Sequence, residues 1–218
     1  MVLVRALWVL ALLASLTVGA SARERADPAS DAPEADRPKI VAFKDAATYA
    51  DALKSWRTAE DVNAWIGARF SYDMARAMAL SESQRRNGAS LPIHAPADFF
   101  ATPAGICVDL SRFAVETLRQ VDPSANASYL MIEFAPVTIA GNTLRLHWVA
   151  SYRRDGQWYF FADSKRPGHL AGPYATVQAF IDDYAAYRGR TIVAFKELPS
   201  YQRRQRSLAV KEQRETAR

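Results

Sequence analysis

Cys107 is the single cysteine of the chain and sits in Pro103-Ala104-Gly105-Ile106-Cys107-Val108-Asp109-Leu110. His147 follows forty residues later, inside a run of alternating apolar residues. Asp163 comes sixteen residues after that, at the end of the next such run. A thiol at a helix start, then an imidazole and a carboxylate on two strands able to form a hairpin, supply a nucleophile, its base and an orienter. The chemistry would be acyl transfer. Cysteine attacks as thiolate, and an ordinary thiol with a pKa of about 8.5 is mostly protonated at neutral pH. Backbone N–H dipoles at a helix start favour the anion. A neighbouring imidazolium favours it further, and Asp163 would hold His147 in the required tautomer. The backbone N–H of Cys107 is a candidate donor to an oxyanion.

Several elements must position these groups. Residues 45–56 read as a helix with Asp45 as N-cap. Thr58-Ala59-Glu60-Asp61 marks the capped start of a second, with Val62, Trp65 and Ile66 at core spacing. Residues 72–87 read as continued helix and 88–96 as a loop. Gly105 allows close backbone approach. The cysteine then opens a helix running to about Val121 and ending before Pro123. Leu110, Phe113, Ala114 and Thr117 mark one face of it, and Val108, Ser111, Val115 and Leu118 another. So broad an apolar surface implies a central, largely buried helix. Residues 128–134, 143–153, 158–162 and 191–198 read as strands. A helix after Gly172-Pro173 places Val177, Phe180, Ile181 and Tyr184 on one side. Ile40-Val41-Ala42-Phe43-Lys44 recurs as Ile192-Val193-Ala194-Phe195-Lys196, an echo too short to be a repeat architecture, though both copies could be strands.

Whether His147 meets Asp163 depends on the turn at Arg154-Asp155-Gly156. A two-residue Asp-Gly turn pairs Arg154 with Gln157; His147 then faces Ser164, and Asp163 points to the opposite face. A three-residue turn with Gly156 as a left-handed bulge pairs Arg153 with Gln157. His147 then sits directly opposite Asp163, with Cβ atoms about 5 Å apart. The three-residue turn is the expectation here, because it builds the dyad.

The 218 residues are half hydrophobic, enough for one domain with a sizeable core. We read residues 40–199 as that domain. Residues 1–22 read as an export signal: Arg5, an apolar run too short to span a membrane comfortably, and Ala20-Ser21-Ala22 as the cleavage site. Residues 23–39, with Pro28, Pro33 and Pro38, read as a disordered linker. The expected location is therefore periplasmic or secreted. In an oxidising compartment a cysteine without a partner in its own chain is buried and inert, paired between molecules, or reactive. The formal charge is +5, a mild excess that does not call for nucleic acid. Its concentration in residues 200–218, with Arg203, Arg204, Arg206, Lys211, Arg214 and Arg218, makes that stretch a basic tail able to touch an anionic surface weakly. His94 and His169 sit beside prolines and glycine and read as loop residues. No His or Cys spacing matches a zinc ligand pair, so no metal is assigned.

Gly105-x-Cys107-x-Asp109 opening an apolar helix, the strand with His147, and Trp158-Tyr159-Phe160-Phe161-Ala162-Asp163 together resemble the transglutaminase-like cysteine peptidase superfamily. The resemblance covers roughly residues 58–172, with Ala64-Trp65-Ile66 and Phe70-Ser71-Tyr72 as entry helices. It implies an α+β, papain-like core in which the cysteine-bearing helix packs on an antiparallel sheet. It implies acyl transfer through a thioester, with Cys107, His147 and Asp163 as the catalytic triad. Trp148 follows His147 directly, where many members place a small residue between them. Position 101 is alanine, where a papain-type site has its oxyanion glutamine. Ala104-Gly105-Ile106 lacks the acidic residues of calcium-dependent members, so calcium is not carried over. Asp109 fits an acidic position of the family and reads as a structural residue of the helix start.

The expectation is an exported thiol hydrolase acting on amide or peptide bonds, with a peptide or protein substrate and no cofactor. Two alternatives stay open: transfer of the acyl group from a protein glutamine to an amine, and a catalytically silent binding module of the cell envelope.

Overall fold

A computed structural model describes residues 42–202, so the expected signal, the whole of the expected linker, residues 40–41 of the expected domain and the tail beyond Gln202 lie outside the described residues. Thr48, not Asp45, caps the first helix, α1 (Tyr49–Ser55); its hydroxyl accepts from the Asp51 N–H. Asp45 pairs instead with Arg69 at 3.2 Å. Thr58 caps α2 (Ala59–Arg69), as the sequence predicts. The single helix expected over residues 72–87 is cut into β1 (Ser71–Tyr72), α3 (Met74–Ala79) and α4 (Glu82–Arg86). Asp73 and Ser81 are the reason. Each side chain accepts from the backbone N–H three residues on, which starts a new helix rather than continuing an old one. α5 (Pro96–Ala101) is a helix where the pattern predicts none; six residues are too few to display a period. The second copy of the echo lies in a strand, whereas residues 42–44 carry none.

β2 (Ala104–Gly105) pairs parallel with β1 and leads into α6 (Cys107–Val121), whose bounds match the expectation. The sheet follows: β3 (Ser128–Ile139), β4 (Asn142–Arg154), β5 (Gln157–Phe161) and β6 (Ala171–Tyr174), then α7 (Val177–Arg188) and β7 (Ile192–Leu198). Its order is β6-β5-β4-β3-β7 and every neighbouring pair is antiparallel. This is an α+β fold with an apolar cluster on each side of the sheet. On one side Leu110, Phe113, Ala114 and Leu118 of α6 share a cluster with Trp148, Ala150 and Tyr152 of β4 and with Trp56 and Trp65. On the other, Phe180, Ile181 and Tyr184 of α7 share one with Leu130, Ile132, Val149 and Phe160. Phe160 and Phe180 stack with centroids 3.8 Å apart. Burying each such side chain contributes about 1.5–3 kcal/mol, so the two clusters hold the sheet from both faces.

The hairpin register differs from the expectation. β4 and β5 join through a two-residue turn: Arg154 pairs with Gln157, and both Asp155 (φ 51°) and Gly156 (φ 75°) have positive φ. That is the conformation a two-residue hairpin prefers, because its twist matches the strands. Ala140-Gly141 makes the same kind of turn between β3 and β4 (φ 45° and 76°). In this register a straight continuation of β5 would put Asp163 on the face away from His147.

Candidate active site

Asp163 nevertheless reaches His147. β5 ends at Phe161, and Ala162 turns into the left-handed region at φ 57°. An L-residue with a Cβ pays roughly 1–2 kcal/mol there. The turn re-aims the next side chain, so the strand rule no longer governs it. Two bonds hold the new direction: the Lys165 N–H donates to Asp163 Oδ1 at 2.9 Å, and the Arg166 N–H to the Asp163 carbonyl at 3.0 Å. Side-chain-to-backbone bonds of this kind are the usual reason Asp sits at chain reversals. Asp163 Oδ1 then lies 3.1 Å from His147 Nε2. The dyad forms by a route other than direct cross-strand pairing.

The pair is buried: His147 is 0% exposed and Asp163 5%. Burial pushes the Asp163 carboxyl up, but the hydrogen bond and charge of His147, then the charges of Arg188 and Arg166, more than reverse this. The carboxyl is held well below its usual range. Sequence reasoning missed two further members. Tyr184 of α7 donates to Asp163 Oδ1 at 3.0 Å and stands 3.0 Å from His147 Nε2. Arg188 donates from Nη1 to the Tyr184 oxygen at 2.9 Å. Periodicity marks Tyr184 as a core residue and says nothing of its hydroxyl. The one sequence signal is an arginine four residues later, on the same face.

Cys107 is the first residue of α6, 4% exposed, in the cluster that also holds Trp148, the neighbour of His147 in β4. α6 packs against β4, so the elements bearing the thiol and the imidazole touch. His147 itself lies on the α7 side, where its ring stacks on Tyr184 with centroids 5.8 Å apart. Asp109 fixes the start of α6. Its two oxygens accept from Arg76 Nε (2.8 Å) and Nη2 (2.9 Å), from the Ile106 N–H (3.1 Å) and from the His94 N–H (2.9 Å). A Cβ at position 105 would come within 2.9 Å of the Asp109 Cβ, which is why glycine stands there. Arg112 donates to the Ile93 carbonyl and Arg76 to that of Pro92, so residues 92–94 are tied to the first turns of α6. His94 contributes that backbone N–H to Asp109, and the His169 N–H donates to the Arg166 carbonyl. Among the described residues, no three His, Cys, Asp or Glu side chains converge on a possible metal site.

A family model for a transglutaminase-like domain matches residues 45–189. The chain belongs to that family. Transglutaminase-like domains are usually enzymes, cysteine peptidases or transferases. No curated protein matches the chain. The matched stretch runs from just before α1 to the end of α7, and so includes Cys107, His147, Asp163 and the Tyr184–Arg188 pair.

Proposed function

We propose that this transglutaminase-like domain is an exported thiol hydrolase that cleaves amide or peptide bonds, with Cys107 as nucleophile, His147 as general base and acid, and Asp163 as orienter. The observation that carries the reading is the buried 3.1 Å contact between His147 Nε2 and Asp163 Oδ1; the helix opened by Cys107 packs on the opposite face of the strand that bears His147. With Nε2 turned to Asp163, Nδ1 is the nitrogen that exchanges a proton with the thiol. The thiolate adds to the substrate carbonyl carbon, and the oxyanion meets the first N–H groups of α6. The C–N bond breaks as His147 returns the proton to the leaving amine, leaving a thioester. Water then attacks the thioester, giving up its proton to His147, and the acid departs as the thiol re-forms. Transfer to an amine follows the same path with the amine in place of water.

The reading requires the Cys107 thiol to reach His147 Nδ1, although Cys107 packs on the α6 side of β4 and His147 on the α7 side. The pH dependence of Cys107 alkylation by iodoacetamide tests it, in the wild type and in His147→Ala. We expect fast alkylation well below about pH 8, slowed and moved upward in the variant. An ordinary thiol profile, unchanged by the variant, would overturn it. A catalytically silent binding module is the second reading. It is favoured by the near-complete burial of Cys107 and by the tie between residues 92–94 and α6. It predicts no alkylation of the folded protein at any pH.

A further inference from the structure

Tyr184 sits in an apolar cluster, where an unsatisfied hydroxyl would be unfavourable. It is 1% exposed, and three polar groups surround its oxygen: Asp163 Oδ1 at 3.0 Å, His147 Nε2 at 3.0 Å and Arg188 Nη1 at 2.9 Å. Their chemistry fixes the protons. A guanidinium only donates, and an ionised carboxylate only accepts. The Arg188 proton therefore points at the Tyr184 oxygen, and the single Tyr184 proton at Asp163. Two acceptors then face His147 Nε2, the carboxylate oxygen and the remaining lone pair of the tyrosine oxygen. The nitrogen between them carries a hydrogen, shared between both. Burial, and then the nearby Asp163 charge, push the Tyr184 hydroxyl well above its ordinary range, so it remains a donor.

The rest of the arrangement holds this oxygen in place. Arg188 is fully buried, its guanidinium lying over the rings of Phe134 (4.9 Å) and Tyr184 (5.6 Å). It is also in the last turn of α7, where the helix dipole favours a cation. Phe180 stacks on Tyr184 from the preceding turn at 5.3 Å, and His147 lies against its ring. A tyrosine needed only to fill the core would not require a buried arginine behind its hydroxyl.

We infer that Tyr184 is a positioning residue: its hydroxyl, held by Arg188, locks His147 in the Nε2–H tautomer against Asp163 and leaves Nδ1 as the basic nitrogen. The consequence for catalysis rests on the proposed role of Cys107; the lock itself does not.

The test is nitrogen NMR of the histidine rings in the full chain, with His147 assigned among the three histidines by its loss in His147→Ala. With the His147 ring neutral, we expect the wild type to hold the Nε2–H tautomer and Tyr184→Phe to give a mixture. Alkylation of Cys107 at neutral pH should fall about tenfold in Tyr184→Phe, the weight of one hydrogen bond to a charged group. An Nδ1–H tautomer in the wild type overturns the proposal, and so does an unchanged tautomer in a folded Tyr184→Phe. If that variant does not fold, 3-fluorotyrosine at position 184 keeps the size and strengthens the donor, and the His147 Nε2 resonance must then move. Resonances that stay in place overturn the lock. A shifted tautomer with alkylation insensitive to His147→Ala would leave the lock standing and remove the hydrolase reading; the reverse pattern would do the opposite.

Discussion

Two buried aspartates stand near the two ends of the proposed chemistry, and they are solvated in opposite ways. Asp109, at the start of α6, spreads its four contacts evenly, two on each oxygen; two come from a forked guanidinium and two from backbone N–H groups. Asp163 gathers three donors on Oδ1, from His147, Tyr184 and the Lys165 backbone, while Oδ2 faces Arg166 at the longer distance of 3.8 Å. Arg76 cannot exchange a proton in a protein, whereas the imidazole of His147 can. The first arrangement suits a fixed joint, and the second a group whose partner changes charge during a reaction. Burial and a nearby arginine are common to both carboxylates; the nature and distribution of the donors are what set Asp163 apart.

The largest effect should come from the fixed joint. Asp109→Ala leaves the Arg76 guanidinium, only 11% exposed, without its carboxylate, and strips an acceptor from two backbone N–H groups. Breaking a buried pair in this way costs about 3–5 kcal/mol. Urea unfolding should show a loss of that size. A loss below about 1 kcal/mol would mean that Asp109 is not the clasp described.

Asp163→Asn should divide the other way, with a smaller loss of stability and a larger loss of reactivity. The amide keeps the shape but no longer favours the imidazolium, so Cys107 alkylation near pH 6 should fall about a hundredfold, toward the rate of His147→Ala. The pH dependence of stability has a definite sign. The folded carboxyl lies below its unfolded value of about 3.9, so its contribution is complete above that pH and is lost as the pH falls through the folded value. Urea midpoints of wild type and Asp163→Asn should therefore differ at pH 5 and converge toward pH 2. A constant gap across that range would show that the ionised carboxylate is not what stabilises the fold.

Much of this contrast is legible in the sequence. The α6 bounds follow from the apolar pattern between Gly105 and Pro123, and the alternation of β4 correctly puts His147 and Val149 on one face and Trp148 and Ala150 on the other. The hairpin departs from expectation for a specific reason. Requiring His147 and Asp163 to be cross-strand partners selects the three-residue turn. The chain takes the turn its Asp-Gly pair prefers and corrects the direction afterwards at Ala162. A left-handed alanine leaves no trace in composition or periodicity, because tertiary contacts, not local preference, put it there. Asp73 and Ser81 are visible as polar residues, but that they cap new helices is not. Periodicity places Tyr184 on its correct helical face, while the chemistry of its hydroxyl is set by Arg188 behind it and stays out of reach.

The correction at Ala162 gives the smallest and sharpest prediction. Glycine at that position relieves the left-handed strain, roughly 1 kcal/mol. It also adds freedom to the unfolded chain, worth about 0.5–1 kcal/mol in the other direction. It removes a methyl group from a residue that is 0% exposed in the α6-side cluster, a loss of about 0.8 kcal/mol. The terms nearly cancel, so Ala162→Gly should change stability by less than about 1 kcal/mol. The alkylation profile should stay as in the wild type, because glycine adopts the same φ and Asp163 keeps its direction. A profile displaced toward that of Asp163→Asn, with stability intact, would mean that the alanine side chain itself holds Asp163 on the His147 side. The strain would then be part of the site's construction and not merely a by-product of the register.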